Sequence, residues 1–127
     1  MFGLPILETS AHARGTFGEF VGEFVATFGL IGLILSCVKH TLGAIPLGVT
    51  AHITGAYWFT SSTSFANPAV TIARSLTNTF AGIAPAHVPG FIIAELLGTA
   101  AAVTLFGWLL EEPPNHNKAL PALGPEA

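Results

Sequence analysis

Charge is scarce in this chain. Four Lys and Arg, seven Glu and no Asp amount to 9% of its 127 residues, where soluble domains carry about 25%. Four scattered basic residues form no stripe able to neutralise phosphates, which argues against nucleic-acid binding. Cysteine is nearly absent: Cys37 stands alone, so no internal disulfide can form and the redox compartment stays open. His12, His40, His52, His87 and His116 show no metal-ligand spacing and no Asp supplements them, so neither a metal nor a cofactor is expected. Also missing are a phosphate-cradling Gly-x-x-x-x-Gly-Lys loop and any Ser, His and acid arrangement in a motif context, which argues against an enzyme. Residues 1–15 carry Glu8 and Arg14 but no long apolar core behind a basic leader, so no cleavable signal peptide is expected.

What is abundant is apolar surface. Hydrophobic residues make up 51% of the chain and the mean hydropathy is +0.67, the composition of a polytopic membrane protein. A first apolar stretch, 16–38, is long enough to cross a bilayer core of about 30 Å. Its Gly18 and Gly22, four apart, with Gly29 and Gly32 beyond, offer a smooth face for a neighbouring helix. A second, 44–60, opens with Pro46, which suits a first helical turn; Gly48, Ala51, His52 and Gly55 share one face, and Tyr57 and Trp58 suit an interfacial belt. A third, 88–110, carries the small-residue stripe Ala94, Gly98 and Ala102. The organisation expected is a flanking segment 1–15, an all-α membrane unit 16–110, and a disordered tail 111–127 that starts at Glu111-Glu112-Pro113-Pro114.

Between the second and third stretches lies a hydroxyl-rich piece, Ser61-Ser62-Thr63-Ser64-Phe65-Ala66, followed by a helix start with Asn67 as N-cap and Pro68 at the first helical position. A helix of about twelve residues from there covers roughly 18 Å, too short to span. It is either a re-entrant half-helix or an extramembrane connector. If it enters the bilayer, the extended backbone ahead of it must be satisfied by water or protein. The helix then aims its positive end, and the Asn67 amide, inward. Such a device orients a neutral hydroxylic solute and repels cations without transforming anything.

The segment Phe65-Ala66-Asn67-Pro68-Ala69-Val70 resembles the signature loop of the aquaporin, or major intrinsic protein, family, and Glu23-Phe24-Val25-Ala26-Thr27-Phe28 resembles the Glu-x-x-x-Thr pattern that opens each half of that fold. The resemblance implies half of an aquaporin-like fold, three transmembrane helices plus one re-entrant half-helix. The Ser64-Phe65-Ala66 lead into the motif is similar to the loop of the C-terminal half. It further implies a channel in the cell membrane for passive flow of small neutral solutes such as water, glycerol or arsenite. Its partners would be the bilayer and either a complementary half or copies of itself, since a half with three spans cannot supply both inverted repeats. A truncated, non-conducting membrane or assembly protein is the alternative.

Carried over by position, the resemblance assigns the pore and its selectivity to Asn67, Pro68, Ala69, Gly55, Ser64 and Val70, with Glu23 and Thr27 as structural support for the loop. Glycine at Gly55 is similar to glycerol-conducting members. Val70 stands where this half normally has arginine; valine there is similar to the bacterial arsenic-resistance aquaporins, and this implies a wider, less charged aperture. Arg74, one turn later, suits a structural or interfacial place better than a filter. His52 either lines the pathway or bonds a neighbouring helix. Glu95, inside the third stretch, needs a partner as Glu23 does.

Overall fold

The computed structural model describes residues 7–111, and among these the only regular secondary structure is helical; the expected tail beyond Glu111 lies outside the described residues. Helix α1 spans Phe17–His40, about 36 Å long. It starts at Thr16 because Thr16 and Glu19 cap one another: the Thr16 hydroxyl accepts from the Glu19 amide at 3.3 Å and the Glu19 carboxylate accepts from the Thr16 amide at 2.9 Å. Lys39 and His40 sit in its last turn, where cations complement the exposed carbonyls. A 3-10 turn, Leu42–Ala44, leads into α2, Ile45–Phe59, with Pro46 in its first turn. Turn and helix together reach about 28 Å. Helix α3, Pro68–Ser75, is short, and α4, Val88–Leu109, follows a second 3-10 turn at Pro85–His87.

Helix α1 and the stretch Pro85–Leu109 are both long and apolar enough to cross a membrane. Their outward sides are apolar: Phe17, Val21, Ile93, Leu97 and Trp108 are all exposed. Helices with such apolar outward sides suit lipid rather than water, which fits a membrane protein.

Small residues set the helix spacing. Ala94, Gly98 and Ala102 are all buried, and a Cβ on Gly98 would stand 2.6 Å from the Phe24 carbonyl oxygen of α1. Gly32 takes the Phe106 ring, and Gly29 leaves room for His52 of α2. That histidine is a helix tether, with Nε2 at 2.9 Å from the Ala26 carbonyl. Gly18 and Gly22 serve a different purpose from the one expected: Ser61, Ser62 and Thr60 of the loop, not a helix, lie against them.

Helix α3 is eight residues long rather than about twelve. It stops because the chain ahead of α1 takes over its last carbonyls, with the Ser10 amide bonding Ser75 O at 3.0 Å and the Glu8 amide bonding Leu76 O at 3.1 Å. Residues 8–14 thus run as an extended strap along the end of α3 and the loop after it.

Gly98→Ala should destabilise the helix pair by about 1–3 kcal/mol, since the obstacle is backbone. Gly107→Ala, with nothing within 4 Å, should be neutral or slightly stabilising, by up to about 1 kcal/mol. Unfolding of both variants in detergent checks this, and equal midpoints would contradict the packing given for Gly98.

Candidate functional site

The loop between α2 and α3 adopts a conformation that non-glycine residues avoid. Thr63, Ser64 and Ala66 have φ of 65°, 51° and 47°, left-handed values that cost about 1–3 kcal/mol each and persist only when surroundings impose them. At the downstream end, residues 65–67, the imposing groups are two carboxylates. Glu23 of α1, fully buried, accepts the Phe65 amide on Oε1 and the Ala66 amide on Oε2, both at 2.8 Å. Glu95 of α4, 1% exposed, accepts the Asn67 amide at 3.2 Å and the Thr71 hydroxyl at 2.7 Å on its Oε1. Three successive amides therefore end on acids from the two long helices. Glu95 Oε2 and the hydroxyl of buried Thr27 have no partner among the described residues.

With its amides turned toward these acids, the loop leaves its other polar groups free. None of the hydrogen bonds among the described residues ends on the carbonyl oxygens of residues 63–66. Thr63 Oγ1 and Ser64 Oγ are buried and equally without partners. Both residues border a groove of about 350 Å³ whose wall also includes Ile53, Tyr57, Asn67, Val70 and Arg74. Buried polar groups of this kind require water or a solute. The exposed Asn67 caps α3 by accepting the Ala69 amide on Oδ1 at 2.9 Å, which leaves its Nδ2 as a donor.

Of the residues singled out from the sequence, Ser64, Asn67 and Val70 meet on this groove. Pro68 and Ala69 form the first turn of α3 behind Asn67. Gly55 is not on the groove wall; its Cα faces open space, with Phe59 the nearest side chain. Ile53 and Tyr57 occupy the α2 side instead, so Tyr57 belongs to the site and not only to a belt. Arg74 lines the groove one turn beyond Val70. A larger cavity, about 690 Å³ between Phe24, Leu97, Leu105 and Trp108, is apolar and lies on the outer face of α1 and α4, where hydrocarbon suits it.

Arg14 has a place that sequence reasoning missed. It is 3% exposed and donates three bonds to loop carbonyls: Nε to Gly82 O at 2.8 Å, one Nη to Ser62 O at 3.1 Å, the other to Phe80 O at 2.9 Å. Its guanidinium carbon lies 5.6 Å from the Phe65 ring centre, within cation–π range. Burial lowers its pKa and the negative charge of Glu19 opposes that shift; a guanidinium remains charged regardless. The available signal was a lone basic residue in a nearly chargeless chain, just ahead of a membrane helix.

Over 111 residues, 87% of this chain, the sequence is 52% identical to the aquaglyceroporin AqpS of Rhizobium meliloti (strain 1021). The chain spans about half, 48%, of the length of that relative. No protein-family model and no solved structure matches it.

The two acids should respond differently to amide substitution. Glu23→Gln replaces one acceptor with a donor facing a donor, leaving one buried amide unsatisfied at about 1–3 kcal/mol. Glu95→Gln keeps an oxygen for Asn67 and Thr71 and takes the acceptor from no bonded amide, so it should cost less than Glu23→Gln. Unfolding curves in detergent separate the two; an equal or reversed order would refute the assignment.

Proposed function

Since this is aquaporin-family sequence resembling the aquaglyceroporins, we propose that it forms the conducting wall of a multi-pass cell-membrane channel for passive flow of small neutral solutes: water, glycerol or arsenite. In this reading α1, α2 and α4 cross the bilayer, and α3 is a re-entrant half-helix of the C-terminal half-fold. The groove is then one side of the pore. The opposite side comes from a complementary aquaporin half or from another copy inserted the other way, because inverted repeats build such pathways.

The observation that supports this most is that, among the described residues, the buried Thr63 and Ser64 hydroxyls and the carbonyls of residues 63–66 have no hydrogen-bond partner, on a groove that Asn67 also lines. A file of acceptors with one donor replaces the hydration of a hydroxylic solute step by step. The positive end of α3 and the Arg74 charge disfavour cations there. Val70 contributes only an apolar side chain where an arginine would narrow the passage, and with Ser64 it favours solutes larger than water. Glu23 and Glu95 keep the carbonyls turned to the passage, with buried Thr27 one helical turn after Glu23 as support.

Vesicles holding the full chain, alone or with a complementary aquaporin half, should take up glycerol and arsenite faster than empty ones. Val70→Arg should cut both fluxes by about tenfold, equivalent to about 1.4 kcal/mol of barrier, and affect water less. Equal uptake by both forms would remove the role given to Val70, and silent vesicles under both conditions would remove the conduction reading.

A further inference from the structure

The groove wall is held from below by Glu23 and Glu95, but its upstream end, Ser62 to Ser64, touches neither acid. Thr63, a β-branched residue with φ of 65°, lies in this end and would relax toward an extended backbone if released. The carbonyl just before it, that of Ser62, is taken by Arg14. The Ser62 hydroxyl accepts the Ser64 amide at 3.2 Å, so the guanidinium holds the residue on which Ser64 hangs. The same fork closes on Gly82 and Phe80 of the loop before α4 and covers the Phe65 ring. Arg14 is itself fixed by its own amide, which donates to His87 Nδ1 at 3.2 Å.

We propose that Arg14 is a positioning residue for solute selection: by joining the Ser62 carbonyl to the loop before α4, it sets where the Ser64 hydroxyl and the carbonyls around it stand in the groove. The inference rests on the conduction reading for its consequence, not for its geometry. A planar fork with three donors in fixed directions suits three carbonyls on two loop segments, which an ammonium cannot reproduce. Arg14 itself does not line the groove, so its effect reaches solute only through the loop.

The test pairs two readouts on the full chain in vesicles, for the wild type, Arg14→Lys and Arg14→Met. Amide hydrogen exchange should quicken by about tenfold at residues 64–66 in Arg14→Met while the α1 and α4 amides keep their protection. The ratio of glycerol to water permeability should shift by about threefold, a change that a loss of folded protein alone would not produce. Arg14→Lys should fall between, keeping the charge but not the fork. Unchanged loop exchange, exchange rising equally in α1 and α4, or quickened loop exchange with an unchanged permeability ratio would each overturn the proposal. A wild-type chain that conducts nothing, both alone and with a complementary aquaporin half, would overturn the conduction reading instead, and the exchange result would then decide by itself whether Arg14 holds the loop.

Discussion

Two acids buried in apolar helices receive three consecutive backbone amides, and the rest of the site depends on that contact. An ionisable group inside a membrane helix costs several kcal/mol unless paired. Here the partners of Glu23 and Glu95 are N–H groups of residues 65 to 67 and the Thr71 hydroxyl rather than a basic side chain. The arrangement satisfies acids and loop together. Because the amides point at the acids, the backbone passes through a left-handed value at Ala66, as it does at Thr63 and Ser64 just upstream, and no hydrogen bond among the described residues ends on the carbonyls of residues 63–66. Burial, strain and polarity of the groove are thus one geometric fact seen from three sides.

That contact requires the helices to stand close, which explains where the glycines are. Gly98 brings α4 against the backbone of α1 near Phe24, one residue from Glu23, so both acids reach the same loop. Gly18 and Gly22 leave space for residues 60–62 to descend along α1. On the far side, the strap 8–14 takes the carbonyls at the end of α3 and buries Arg14 among those of Ser62, Phe80 and Gly82. The loop is gripped from both ends, and α3 is stopped at Ser75 as a result.

Features that depend on local sequence were readable in advance. Asn67-Pro68 starts α3 because an N-cap followed by proline carries its meaning within a few residues. The stripe Ala94, Gly98, Ala102 announced a packing face by its period alone. What could not be read depends on contacts distant in sequence. The Arg14 partners lie 48 to 68 residues away, so no window of the chain announces a clamp. The expected length of α3 failed for the same reason, since nothing inside residues 68–79 encodes the strap. Gly55, placed by counting back from Asn67, is off the groove wall while Ile53 and Tyr57 are on it; an interval along the chain does not specify which face of α2 meets the loop.

Conduction requires Asn67 and the carbonyls beside it to be wet while lying deep in the bilayer. Solid-state magnetic resonance of the labelled full chain in lipid measures both properties on the same sites, by water-to-protein magnetisation transfer and by contact with acyl-chain protons. Rapid transfer from water at Asn67 and residues 63–66, with α1 and α4 residues at the same depth dry and in contact with acyl chains, is the result expected. Slow transfer at Asn67, or placement of α3 at the headgroup level, would contradict the account.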